Sequence, residues 1–345
     1  PKSSGLRIEA SASQHRRALV AAAASASHRS IAFRRSHRSA PQHCTMARTR
    51  AVLLALLPAM TLSLSAVAAP RRALPRLKAE SFRHPLDKDL TSLVQNSPVA
   101  LLETVIKKAA APPVEQMVRL DNLANALRVS EDQFPELHAS FREALRILGG
   151  LRDGAVPELY VRSDPRPNAY TLAMQGGAPF VVVTSALVDG FSAAEVQAVL
   201  AHELGHLVCE HSLWFSLGNV ATALAPPLPG LGAGLEGLLQ SWRRAAEFSC
   251  DRAALLVAQD PDVVNAALIK LTSGSSKDVN VEAFLEQARE YERSLGAANR
   301  LVRSAMRSSL ADATHPLPVR RVAELDKFAK STQYAAIISG GTPLA

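Results

Sequence analysis

His202, Glu203 and His206 stand in the run Ala201-His202-Glu203-Leu204-Gly205-His206, a His-Glu-x-x-His pattern. On a helix, a spacing of four places both imidazoles on one face, one turn apart, as two ligands of a tetrahedral Zn²⁺ require. Glu203 is turned about 100° from His202, so it stands beside such a metal without binding it. From there it can act as general base toward a water on the metal, whose pKa falls from about 15.7 toward about 7. The chemistry open to this set is hydrolysis by an activated water.

A helix that only packs would read differently. Val196, Val199, Leu200, Leu204, Leu207 and Val208 form an apolar stripe, and Glu203 falls inside it. A carboxylate there is unfavourable unless it is paired or used. Gly205 adds a mid-helix glycine, which costs about 1 kcal/mol relative to alanine. Both features make sense if a metal or another backbone comes close.

Two histidines need a third protein ligand. The extended metzincin pattern would require Gly at 209 and His at 212, but the chain has Cys209 and Ser212. Glu247 is the better candidate. It and Asp251 are four apart on a second expected helix, so one carboxylate can bind metal while the other accepts the free N–H of a ligating imidazole. The plainer alternative is a solvated acidic helix face. Cys209 projects near the histidine face as a soft competitor, although packing suits Cys209 and Cys250 better.

His-Glu-x-x-His followed by Glu247-x-x-x-Asp251 and then by Thr314-His315-Pro316 resembles the gluzincin zinc metallopeptidases of the CAAX prenyl protease and HtpX family. Residues 82–87, 157–161, 168–172, 195–207, 247–259 and 315–319 are similar to its plant plastoglobule members. The resemblance implies His202, His206 and Glu247 as ligands of one Zn²⁺ per chain, with Glu203 as catalytic base. It places Asp251 behind the ligands, His315 over the metal as donor to an oxyanion, and Arg321 as a brace. The implied activity is that of a zinc metalloendopeptidase acting on protein or peptide substrates in organelle protein turnover. A strand at Phe180–Thr184 is expected to take an extended peptide along its edge. A catalytically inactive, zinc-stabilised scaffold at a lipid surface is the alternative, its site closed by a fourth protein ligand for which Cys209 is the nearby candidate. A metal-dependent hydrolase of small amides or lipids ranks below both.

These side chains need elements to position them. Ser192 and Glu195 form a Ser-x-x-Glu capping box that starts the motif helix, expected to run to about His211. A second helix is expected over 235–259, ended by Asp260-Pro261. Other helices are expected over 113–128, 131–148 (stopped by Gly149-Gly150), 262–273, 281–295, 299–310 and 317–330. Short strands are expected at 159–162, 169–174 and 180–184, with Gly176-Gly177 as a hairpin turn and residues 82–87 as a turn. The expected fold class is α+β, a mostly helical zincin-like metallopeptidase domain with a small β-sheet.

Charge separates the chain into regions. The net charge is +8, yet Pro1 to Lys78 holds 14 Lys or Arg against the single acid Glu9, and the remainder holds 25 basic and 30 acidic residues. The basic excess therefore belongs to the leader, and nucleic acid is not an expected partner. Residues 1–50 are rich in Arg, Ser and Ala, the composition of a transit peptide, and an apolar run at 51–69 follows as a signal-peptide core or a marginal membrane anchor. Met46 is the first Met, and a start there would make a signal-type sequence for a secretory or lumenal compartment. The expected address is the chloroplast, at a plastoglobule or thylakoid. The expected organisation is a targeting leader over 1–69, a linker and helical lead-in over 70–110, the metallopeptidase domain over 111–330 and a tail over 331–345. The uncharged segment 213–235 is broken by Pro226, Pro227 and Pro229, and is expected to cover the site, dip into a lipid surface or pack in the core. Three cysteines in 345 residues exclude a disulfide framework.

Overall fold

The computed structural model describes residues 71–102, 112–151, 154–173, 179–223, 231–275, 277–309 and 315–343. The leader, its apolar run, the Gly176-Gly177 turn and Pro226, Pro227 and Pro229 lie outside the described residues. Among the described residues, no helix is long and apolar enough to cross a membrane.

A four-stranded mixed sheet lies within a mostly helical unit. Its order is Ala126–Arg128, Glu158–Arg162, Phe180–Thr184, Ala169–Leu172. The first pair is antiparallel, the second parallel and the third antiparallel. Phe180-Val181-Val182-Val183-Thr184 is buried throughout because both of its edges are paired and both of its faces are covered. Its side chains alternate. Val181 and Val183 enter the main core with Val196, Val199 and Leu200 of the motif helix. Phe180 and Val182 pack on the other face with Tyr160, Val118 and Leu172. This corrects one expectation: the strand at Phe180–Thr184 has no free edge. The edge strands are Ala126–Arg128 and, beside Phe180–Thr184, Ala169–Leu172.

Two expected helices are shorter. The first, expected to reach 128, ends at Asn125, and Ala126–Arg128 pairs with Tyr160–Arg162 instead. The next starts at Pro135, not at 131, because Phe134 takes a left-handed conformation with φ 62°. It ends where expected. Gly149 has φ 90°, and a Cβ there would lie 2.0 Å from the Leu77 carbonyl oxygen, so only glycine fits.

The motif helix, Ala193–Val208, has the expected capping box. The Ser192 hydroxyl accepts from the Glu195 amide, and the Glu195 carboxylate accepts from the Ser192 amide at 2.7 Å. Ten of its residues are buried, so it is a core helix more than an amphipathic surface one. It ends at Val208, short of His211, because Glu210 adopts φ 53°. A second helix, His211–Ala223, begins there. Leu213, Trp214 and Leu217 pack with Leu90, Leu239 and Trp242, so this part of the uncharged segment is core. The long helix, Leu231–Ala258, starts earlier than expected and crosses the motif helix at Gly205. The lead-in residues Arg72-Ala73 and the tail residues Thr342-Pro343 pair as a two-stranded sheet.

Glu195 does a second job. Its carboxylate takes the Lys270 ammonium at 2.9 Å from the helix Pro261–Ser273, with both side chains buried. Glu195→Ala would remove a cap acceptor and leave Lys270, among the described residues, with the exposed Asp278 at 3.9 Å as its carboxylate and the Phe191 ring at 5.5 Å. Urea unfolding is expected to show a loss of about 3–5 kcal/mol, the range for stranding one partner of a buried pair. Replacing Lys270 by Met in the same chain should recover most of it.

Candidate metal centre

The motif helix and the long helix bring the expected residues together. His202 Nε2 lies 3.5 Å from Glu247 Oε2, and His206 Nε2 lies 3.5 Å from Glu247 Oε1. The rings of His202 and His206 are 5.2 Å apart, nearly edge to face. Gly205 makes this approach feasible. A Cβ on it would meet Cys250 Cα, Cys250 Sγ and Ala253 Cβ at 3.2 Å, so the glycine marks where the backbone of the long helix comes close.

Asp251 lies one turn beyond Glu247 and faces the other side of His202. His202 Nδ1–H donates to Asp251 Oδ1 at 3.1 Å, so the neutral ring has its bare nitrogen, Nε2, toward Glu247. Arg321, on the helix Pro318–Ala329, donates from Nε to Asp251 Oδ2 at 2.9 Å and from Nη2 to Oδ1. Its Nη1 lies 3.5 Å from Glu247 Oε2. His315 is exposed and stands over the same carboxylate, Nδ1 to Oε2, at 3.1 Å. Glu203 lines the same cleft of about 330 Å³, beside Ala169, Asn168 and Leu268.

The electrostatics are those of a cradle for positive charge. Burial works to raise the Glu247 pKa, but the charge of His315 and the close imidazoles of His202, His206 and His315 hold it well below the ordinary carboxylate range. Burial likewise opposes ionised Asp251, and Arg321 outweighs it. Burial also disfavours a charged His202, yet its hydrogen bond to Asp251 and the Glu247 carboxylate beside it push it up to about 9. For His315 the Glu247 charge leads, and its pKa is raised. A field that draws a proton here would draw a metal cation too.

The residues fit such an ion. Glu247 Oε2 is buried and accepts no aligned hydrogen bond, although three basic groups surround it. A separation of 3.5 Å is long for a hydrogen bond. It is close to the spacing of about 3.4 Å that two ligands take when each is about 2.1 Å from a tetrahedral ion. Cys250 Sγ also falls within 4.8 Å of the His202 and His206 nitrogens. It is a poorer donor, because burial and the nearby charges of Glu247, Glu203 and Asp251 push its thiol pKa well above 9. Cys209, the expected closing ligand of a structural site, groups with Asp87 and His211 instead.

Two polar residues in this region escaped sequence reasoning. His211 Nδ1 lies 3.0 Å from His206 Nδ1, and His211 Nε2 lies 3.1 Å from Asp87 Oδ2. A fifth position past His206 would lie about 140° round a continuous helix, so spacing alone gave no signal.

An imidazole pair on one helix, faced by a carboxylate from another across a cleft, is the plan of a metallopeptidase. The model of Peptidase family M48 matches residues 131–329, and the chain belongs to that family. It is 43% identical over 270 residues to the plastoglobule-localized metallopeptidase 48 of Arabidopsis thaliana, a chloroplastic protein, covering 76% of each chain. It is 25% identical over 230 residues to a protease HtpX homolog 2 of Methanosarcina mazei, covering 58% of this chain and 74% of the relative. The crystal structure of S. mikatae Ste24p is a looser likeness, with a TM-score of 0.36 and 15% identity over 70% of this chain and 61% of that one. The protein is thus a metal-dependent peptide hydrolase, and the expected chloroplast address is supported by the chloroplastic relative.

The Gly205 contact can be tested. Gly205→Val would drive branched carbon into the Cys250 backbone and separate the two helices. A stability loss of about 1–3 kcal/mol is expected in urea, with weaker zinc binding in a chelator competition.

Proposed function

We propose that this chain is a zinc metalloendopeptidase in which His202, His206 and Glu247 hold one Zn²⁺. The observation that carries the reading is the buried Glu247 carboxylate, with Oε2 3.5 Å from His202 Nε2, Oε1 3.5 Å from His206 Nε2, and no aligned hydrogen bond to Oε2. When bound, zinc acidifies the attacking water and polarises the scissile carbonyl. Glu203 takes the proton from that water and passes it to the leaving amine. His315 donates to the oxygen of the tetrahedral intermediate, for which its exposed place above Glu247 suits it. Asp251 keeps His202 in the tautomer with Nε2 bare, and Arg321 neutralises Asp251 so that both can be buried.

The substrate lies as an added strand on Ala169–Leu172, the edge strand of the sheet at the cleft, which Ala169 lines. Backbone pairing of that kind reads an extended peptide with little regard to sequence, as protein turnover in a plastid requires. A leader over 1–69 carries the chain there, and the domain over 111–330 does the chemistry. A lipid surface such as a plastoglobule is the proposed setting.

Glu203→Gln is expected to keep about one zinc per chain and lose casein cleavage by roughly 10²–10⁴-fold. Glu247→Ala should lose the metal altogether. Full zinc occupancy in that variant would remove Glu247 from the ligand set. His315→Ala should keep zinc and KM while kcat falls roughly 10²–10³-fold, the effect of losing one oxyanion donor.

A further inference from the structure

We infer that His211 and Asp87 form a hydrogen-bonded brace that fixes the tautomer and orientation of His206, so that the lead-in helix Pro85–Gln95 is part of the metal site. The inference rests on the reading of His206 as a ligand.

The protons can be counted from the buried end. Asp87 is fully buried and surrounded by donors. Its Oδ1 takes Trp242 Nε1–H at 2.9 Å and the Thr91 hydroxyl at 3.3 Å, with Arg83 Nη1 at 3.5 Å. Its Oδ2 takes the Ser249 hydroxyl at 2.7 Å and faces His211 Nε2 at 3.1 Å. A carboxylate so placed accepts only, so His211 carries a proton on Nε2. His211 Nδ1 then faces His206 Nδ1 at 3.0 Å, and one of the two must donate. With the proton on His206 Nδ1, the His206 Nε2 nitrogen is bare, and that is the atom turned to Glu247. The opposite assignment would put a proton on His206 Nε2 and disable it as a ligand. Neutral His211, protonated on Nε2 alone, is the form that serves the site.

The backbone is shaped for this contact. On a continuous helix, His211 would project about 140° from His206. Glu210, at φ 53°, ends the motif helix and restarts the chain, and the two rings meet at 5.1 Å. A left-handed non-glycine residue is strained, and such positions persist where the surroundings enforce them. Phe215 stacks on His211 at 5.6 Å and fixes its plane. The Cys250 thiol, 3.8 Å from His211 Nδ1, is a weak second neighbour of the same nitrogen. Asp87, Cys209 and His211 lie within 4.8 Å of one another, but the Asp87 oxygens are occupied by protein donors, so the trio reads as a brace and not as a second metal site. Asp87 also lies outside residues 131–329, the stretch matching the family model.

The affinity of the full chain for Zn²⁺, measured by competition with a chromophoric chelator, tests the brace. His211→Phe keeps the ring and its stacking but removes both nitrogens, and Kd is expected to rise roughly 10–100-fold. His211→Asn returns an acceptor near the Nδ1 position and should recover part of that loss. Melting of the chelator-stripped proteins separates a folding defect, which would lower both variants alike without this rescue. A His211→Phe chain that binds Zn²⁺ as tightly as wild type overturns the inference. Independently of any variant, two-bond ¹H–¹⁵N spectra of the zinc-loaded wild type are expected to show His206 protonated on Nδ1 and His211 on Nε2. His211 protonated on Nδ1 would overturn it equally. Failure of the underlying site reading looks different: Glu247→Ala would then bind Zn²⁺ as wild type does, whatever the state of His211.

Discussion

Two carboxylates one turn apart on a single helix, both removed from water, set the terms for everything around them. Glu247 and Asp251 are each nearly fully buried. Their charges repel, and burial disfavours both, so the arrangement holds only if positive charge is supplied at short range. Arg321 answers Asp251 with a two-pronged contact, and the histidines and His315 gather round Glu247. The compensation is uneven. Asp251 takes two guanidinium hydrogen bonds from Arg321, while Glu247 has only the far edge of that guanidinium at 3.5 Å and otherwise relies on imidazoles whose charge depends on protonation. That imbalance is what makes Glu247 the natural seat for a metal ion and Asp251 the natural support behind it.

The same demand explains the packing. Bringing Glu247 to the imidazoles requires two helices to cross closer than side chains normally allow, and Gly205 against Cys250 provides the gap. A near-contact of this kind transmits displacement, because interiors are close-packed and have little slack. The motif helix is therefore fixed along its length. Its N-terminus is tied by the capping box and the Lys270 ion pair, its middle by the long helix, and its C-terminus by the break at Glu210.

What could be read in the sequence was whatever depends on short spacing. The histidine pair, the capping box and the Glu247–Asp251 pair are all intervals of three or four within one helix, and helical geometry converts such intervals directly into shared faces. The oddity of Gly205 was legible for the same reason. The order of strands was not, because alternation marks a strand without naming its neighbours. Phe180–Thr184 accordingly read as an edge, although it lies between two partners. Ala126-Leu127-Arg128 is too short to show a period of two and was absorbed into the preceding helix. Asp87 was hidden for a further reason: it comes 124 positions before His211, and nothing local at Asp87 announces the contact.

The two imidazoles at the centre of the motif are consequently not equivalent. His202 is supported by a carboxylate from the same helix that supplies Glu247, reinforced by a guanidinium. On our reading of the brace, His206 is supported by a neutral ring, and only through it by a charge, the Asp87 carboxylate of the lead-in helix. A carboxylate placed directly behind an imidazole raises its basicity more than a neutral acceptor does. His202 is therefore held from within the long helix itself, and His206 is the more sensitive to displacement of distant structure. The helix Pro85–Gln95 carries no proposed ligand, yet any movement of it shifts Asp87, hence His211, hence the nitrogen that His206 presents. One of the two histidine positions in the motif is thereby coupled to a segment that the motif itself does not contain.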